Sequence, residues 1–256
     1  MESSLVLREN ERLDAVNEKI TLIQKKDGLT FGTDAFLLAA FLRPVPKGRA
    51  VELGAGSGIV SLLCAARERF DRILAVEVQA DFAELIQRNA ALNGYAACVT
   101  ACHRDVRELT CSHTEGEVDT VFANPPYMRT DSGKRNEADY KYIARHEVFG
   151  GIDDFCSAAS RILKTGGRFC CVWRPDRLPE LMAAMEKKRL SPKRMTFVHG
   201  DPMCEPSMVL AEAVKDGGSG TRVTRPLFLY EDSDTCGKRV LSEDARRIYD
   251  TMDFVW

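Results

Sequence analysis

Ala50-Val51-Glu52-Leu53 leads directly into Gly54-Ala55-Gly56-Ser57-Gly58. The first four residues read as a short buried strand. The next five place glycine at every second position, and Ile59–Arg69 continues with helical character. A glycine loop between a strand and a helix lets backbone approach a nucleotide-like ligand closely. The dinucleotide fingerprint Gly-x-Gly-x-x-Gly is not fully matched, because the third glycine falls one place early at Gly58 and Ile59 stands where it is expected. The same glycines would also suit tight packing of a helix against a strand.

Outward from this turn the chain alternates between the two periodicities. Strands are expected at 72–77, 97–103, 118–123 and 168–173, and helices at 80–93 and 152–163. Gly94 ends the first of these helices, and Gly166-Gly167 follow the second. Such alternation predicts an α/β, Rossmann-like fold: an open, mostly parallel sheet with helices on both faces. Three later segments, 194–198, 208–214 and 227–230, are also strand-like, with a loop at 215–220. Upstream, residues 1–18 read as frayed or helical. A hairpin is expected from strands at 19–24 and 29–31, turned at Lys25-Lys26-Asp27-Gly28. Thr33-Asp34 would cap a helix over 35–42, stopped by Pro44 and Pro46. Residues 1–256 are read as one domain, with 1–45 as a hairpin and helix extension packed on it.

With 256 residues, 45% of them apolar, the chain can bury a core without covalent staples. The composition excludes a disordered or collagen-like chain. No apolar run approaches the roughly 20 residues of a membrane span, so no membrane partner is expected. Met1-Glu2-Ser3-Ser4 does not begin a secretory signal. The nine cysteines form no Cys-x-x-Cys pair and read as reduced thiols in a cytoplasmic protein. Cys98, Cys102, His103, Cys111 and His113 fit no common zinc spacing, so no metal is expected.

Other candidates fall at strand ends. Glu77 ends the second strand of the alternation, where a carboxylate can accept from both hydroxyls of a ribose; the alternative is a solvated acid. Asp105-Val106 follows the third, suited to an adenine amine and ring, or to capping a helix. Asn124-Pro125-Pro126-Tyr127 follows the fourth and would face the same crevice as the glycine loop. Two prolines fix φ and remove two backbone donors. The Asn124 side-chain oxygen and the Pro125 carbonyl can both accept from one planar –NH2, favouring the cationic nitrogen that forms as it is alkylated. Tyr127 offers a flat face for stacking. The alternative is a plain strand-ending Pro-Pro turn.

Together these residues resemble class I S-adenosylmethionine-dependent methyltransferases acting on planar amino nitrogens. Three further stretches sharpen the resemblance: Phe31-Gly32-Thr33-Asp34-Ala35-Phe36-Leu37-Leu38-Ala39, Ile143-Ala144-Arg145-His146-Glu147, and Met208–Lys215 with Pro226–Tyr230. They are similar to the bacterial tRNA1(Val) (adenine(37)-N6)-methyltransferase family and its Gram-positive relatives. The tail departs from that family, with Asp234-Thr235-Cys236-Gly237 where a Tyr-Thr pair is usual.

The resemblance implies S-adenosyl-L-methionine as cofactor and S-adenosyl-L-homocysteine as product. Gly32, Thr33 and Asp34 would close over the methionine part. Glu52, Gly54, Ala55, Gly56 and Gly58 would form the loop at its carboxylate and sulfonium side. Glu77 would hold the ribose and Asp105 and Val106 the adenine, with Val78 and Asn124 also at the cofactor, and Asn124, Pro125, Pro126 and Tyr127 would hold the acceptor. The implied reaction is direct methyl transfer to N6 of an adenine in tRNA. Guanine-N2 methylation of rRNA, methylation of protein glutamine, and a catalytically silent RNA-binding module are the competing readings. Small-molecule O-methylation is disfavoured, since a hydroxyl acceptor usually needs a base or a metal.

A net charge of -2 speaks against a uniformly basic nucleic-acid binder, but the charge is divided. Residues 1–127 hold 14 basic and 18 acidic side chains, whereas 161–200 hold ten basic and three acidic. Lys187, Lys188, Arg189, Lys193 and Arg194, with Arg129 and Arg145 from the polar stretch after Tyr127, are therefore the candidate RNA contacts.

Overall fold

Nine strands form one sheet in the computed structural model, which describes residues 7–26, 31–125, 150–231 and 239–254. In chain order the elements are β1 (Glu11–Asn17), β2 (Ile20–Lys25), α1 (Thr33–Phe41), β3 (Val45–Leu53), α2 (Ile59–Ala65), β4 (Phe70–Glu77), α3 (Ala80–Leu92), β5 (Val99–His103) and β6 (Val118–Ala123). There follow α4 (Ile152–Ile162), β7 (Leu163–Trp173), α5 (Leu178–Lys187), β8 (Leu190–His199), β9 (Pro206–Lys215), β10 (Arg222–Val223), β11 (Leu227–Phe228) and α6 (Glu243–Thr251). The sheet order is β10-β8-β9-β7-β6-β3-β4-β5, with β11 also on β8. Only β9 runs antiparallel to its neighbours, β7 and β8. The α/β reading of the sequence holds, and α5, which the sequence reading did not anticipate, is added between β7 and β8.

Period-2 alternation along each strand makes two cores. Ala50, Phe122, Cys170 and Val172 pack with Leu37 of α1, Leu62 of α2, Ile86 of α3 and Ile248 of α6. Val51, Val121, Phe169 and Cys171 pack on the other face with Phe155 of α4 and Leu181 and Met185 of α5. Helix α1 is buried along Ala35–Phe41 because it is enclosed by α2, α6 and the sheet.

The N-terminal hairpin differs from expectation. Residues 11–17 are strand β1, not frayed or helical, and pair antiparallel with β2. The turn lies at Glu18-Lys19, where the Asn17 side-chain oxygen accepts from the amides of Lys19 and Ile20, both at 2.9 Å. That Asx turn supplies locally what an Asp-Gly turn was expected to supply further on. Asp27, Gly28, Leu29 and Thr30 lie outside the described residues.

Strand β2 docks its other edge on α3. Asn89 Oδ1 accepts from the Ile23 amide at 2.7 Å and its Nδ2 donates to the Ile23 carbonyl at 3.2 Å. Asn93 does the same for Thr21, at 2.9 and 2.8 Å. Four helical residues rise about 6.0 Å and two strand residues about 6.7 Å, so two asparagines one turn apart match alternate residues of a strand edge.

Candidate active site

The chain runs from β3 outward through β4 to β5, then returns to the other side of β3 as β6. That reversal is a topological switch point, where open α/β sheets bind ligands. Leu53 pairs with Ala123 in register, so Gly54 and Asn124 leave the sheet side by side. Leu53 also pairs with Val76, which brings Glu77 to the same edge.

The glycine loop is held from two strands. The amides of Gly54 and Ala55 donate to the Val76 carbonyl at 2.9 and 3.0 Å. Glu77 Oε2 accepts from the Gly56 amide at 2.9 Å, and Oε1 from Gln79 at 3.0 Å. Gly56 has φ +54°, and a Cβ there would meet nothing within 4 Å, leaving open space over its backbone. Gly58 has φ +81°, and a Cβ would lie 3.2 Å from Ile86 of α3. The early third glycine thus serves close helix packing. Glu52 is buried, and its Oε2 accepts from both the amide and the hydroxyl of Ser61. Burial pushes its carboxyl up to about 8. Glu52 therefore braces α2 from beneath the loop.

Asn124 leaves the end of β6 at the switch point. Its Nδ2 donates to Asp34 Oδ2 at 2.8 Å. Its Oδ1 is buried and without a hydrogen-bond partner among the described residues. Thr33, next to Asp34, is reached from the end of the chain: Tyr249 of α6 donates its hydroxyl to Thr33 Oγ1 at 2.9 Å. Pro125 is buried beside Asn124, while Pro126, Tyr127, Arg129 and Arg145 lie outside the described residues.

Asp105 caps the short 3-10 turn Val106–Glu108, accepting from the Arg107 amide at 2.8 Å. The Arg107 guanidinium also bonds its carboxylate, and this contact foremost holds the Asp105 carboxyl below the usual range. Val106 is buried in the second core. Val78 is half-buried, and its carbonyl accepts from His103 Nε2 at 3.0 Å.

The sequence profile of the methyltransferase small domain matches residues 25–188, a span holding α1, the glycine loop, Glu77 and Asn124. The chain belongs to the methyltransferase small domain family. This methyltransferase is 28% identical over 237 residues to a tRNA1(Val) (adenine(37)-N6)-methyltransferase of a Flavobacteriaceae bacterium, covering 93% of this chain and 96% of the relative. A protein of the same name from Phocaeicola vulgatus is 30% identical over 193 residues, 75% of this chain and 80% of that one. Among solved structures, a predicted O-methyltransferase from Agrobacterium tumefaciens superposes with TM-score 0.68 at 23% identity, covering 87% of this chain and 98% of that chain. TrmN from Thermus thermophilus gives TM-score 0.51 at 21% identity, covering 72% and 48%. These superpositions speak to the fold.

The start of β8, which carries Lys193 and Arg194 of the basic cluster, is not at this edge. Strand β8 runs parallel to β7, so its first residues lie at the amino edge of the sheet. Ser191 is level with Thr120, four residues or about 13 Å down the strand from Asn124, and three strands across. There Arg189 pairs with Asp216 and Lys193 donates to the carbonyls of Gly218, Ser219 and Gly220, while Lys187 and Lys188 pair with Asp153 in the first turn of α4. Arg194 as an RNA contact is corrected outright. It is 2% exposed, pairs with Glu212 at 2.9 Å, donates to the Phe41 carbonyl and covers the Phe41 ring. Such a guanidinium cannot reach a phosphate.

Sequence reasoning missed other residues at the carboxyl edge. Arg174 and Arg177 follow β7 there, and the rule that ligands lie beyond strand ends would have found them. Asn89 was also missed: its Nδ2 donates to the Ser57 carbonyl at 3.0 Å, tying the glycine loop to the hairpin. Among the described residues no helix is long and apolar enough to cross a membrane.

Proposed function

We propose that this methyltransferase transfers the methyl group of S-adenosyl-L-methionine to the exocyclic N6 of an adenine in tRNA, leaving S-adenosyl-L-homocysteine. The observation that carries the reading is the buried Asn124 Oδ1 beside the glycine loop, which has no hydrogen-bond partner among the described residues. A buried acceptor without a donor is costly, and an amino group supplies one. The names of the two relatives narrow that amine to adenine N6 in tRNA.

The residues fit the cofactor. Open space over Gly56 admits a ligand against the backbone, and each Glu77 oxygen accepts one amide and keeps a lone pair for a ribose hydroxyl. When bound, S-adenosyl-L-methionine supplies an electrophilic methyl group on a cationic sulfur. Asn124 Oδ1 and the Pro125 carbonyl accept the two amine hydrogens and aim the nitrogen. Positive charge grows on that nitrogen as it bonds to carbon, so both acceptors bind it more tightly. The proton leaves afterwards to water, which spares the site a strong base. Asp105 would take the adenine amine of the cofactor in place of part of its contact with the Arg107 guanidinium, while still capping its turn. The whole chain acts as one unit in a reducing cytoplasm, and Arg174 and Arg177 join the residues facing the RNA.

Asn124→Ala tests the reading. Cofactor binding by titration should persist, while turnover on unmodified tRNA falls about 100-fold or more. Digestion of the product should yield N6-methyladenosine. Unchanged turnover, or N2-methylguanosine in its place, overturns the assignment.

A further inference from the structure

We propose that Asp34 is a positioning residue that selects which end of the Asn124 amide faces the methyl acceptor. The proposal rests on the amine chemistry assigned to Asn124.

The two ends of a carboxamide are nearly the same size, so shape alone selects neither. A carboxylate only accepts hydrogen bonds. Asp34 Oδ2, 2.8 Å from the Asn124 amide nitrogen, therefore draws Nδ2 to itself and turns Oδ1 away, toward where no described residue partners it. With the amide reversed, an N–H would face the N–H of an incoming amine, and the lone pair of that amine would no longer be free to attack.

Asp34 is itself held. Its Oδ1 accepts from the Ala35 amide at 2.9 Å, and a carboxylate in the first turn of α1 is favoured by the helix dipole. A Cβ at position 32 would come 2.8 Å from Asp34 Oδ1, so Gly32 leaves room for the side chain to fold back. Thr33 is tied to Tyr249, whose ring packs against Phe36 with centroids 5.0 Å apart. The segment that carries the carboxylate is thus tied to α6, and the carboxylate acts on the acceptor through Asn124.

Asp34→Ala should lower kcat by about tenfold, the worth of one hydrogen bond to a charged group, with cofactor affinity and tRNA KM within about twofold of wild type. Asp34→Asn, whose own amide oxygen can accept from Asn124 Nδ2, should recover part of the loss. In 15N-labelled protein, the Asn124 side-chain amide resonances, identified by their absence in Asn124→Ala, should move in Asp34→Ala. Should Asp34→Ala fail to fold, Asp34→Asn carries the test, with kcat about threefold down and cofactor affinity unchanged. Full kcat with unmoved resonances overturns the proposal. So does weaker cofactor binding with full kcat at saturation, which would make Asp34 a cofactor contact. Activity retained in Asn124→Ala would instead overturn the amine chemistry. Asn124→Ala inactive beside a fully active Asp34→Ala defeats the positioning role alone.

Discussion

Glu77 Oε2 takes the Gly56 amide at 2.9 Å, so the end of β4 holds the glycine loop that follows β3. Both Glu77 oxygens accept backbone amides, and glutamine has only one accepting oxygen. Glu77→Gln should turn an –NH2 against one of those amides. Calorimetric titration should show cofactor affinity about tenfold weaker or worse. Unchanged affinity would mean that the loop keeps its shape without Glu77.

Glu52 sets a pH dependence. Its carboxyl titrates near 4.5 in the unfolded chain and about 8 in the folded one, because burial opposes the charged form. Between those values the folded state holds a proton the unfolded state has lost. Its contribution is full below pH 4.5 and declines as pH rises through 8. The urea midpoint of wild type should therefore fall relative to Glu52→Gln between pH 5 and pH 8.5. Parallel profiles would show that Glu52 ionises freely.

Arg194 and Lys187, neighbours in the basic cluster, should respond oppositely. Arg194→Met leaves Glu212, itself 2% exposed, with less compensation, since among the described residues the ion pair that remains to it is with the half-exposed Arg43. Breaking a buried pair costs about 3–5 kcal/mol, visible as a large drop in Tm. Lys187→Ala removes an exposed contact and should leave Tm unchanged.

Asn89→Ala should unseat the N-terminal hairpin. Three hydrogen bonds from a fully buried amide are lost, and the Ile23 amide is left facing apolar surroundings. The expected destabilisation is about 3 kcal/mol by urea titration, with β1 and β2 losing protection from hydrogen exchange first. Protection lost evenly across the sheet would argue against a separable hairpin.

The parallel sheet and its switch point were readable because each depends on local pattern. Short continuous apolar runs mark β4 and β6, and the glycines of 54–58 mark a turn wherever the rest of the chain goes. The hairpin was misplaced because an asparagine side chain at 17 closes a turn that backbone propensity assigns to Asp27-Gly28. Asn89 and Asn93 signal nothing in a helix until a strand edge lies beside them. Arg194 read as surface charge because counting charge along a segment ignores the partner that burial supplies, here Glu212 on the adjacent strand.

From the sequence alone come the order of strand, glycine loop and helix, the carboxylate after β4, and the Asn-Pro-Pro-Tyr segment after β6. Each is set by residues within a few positions of one another, so spacing and side-chain chemistry suffice. Contacts over long separations belong to the tertiary structure. Asn124 meets Asp34 across 90 residues, Thr33 meets Tyr249 across 216, and Arg194 meets Glu212 inside the core. Which amide atom Asn124 turns to the site follows from a carboxylate that only the completed fold brings within 2.8 Å.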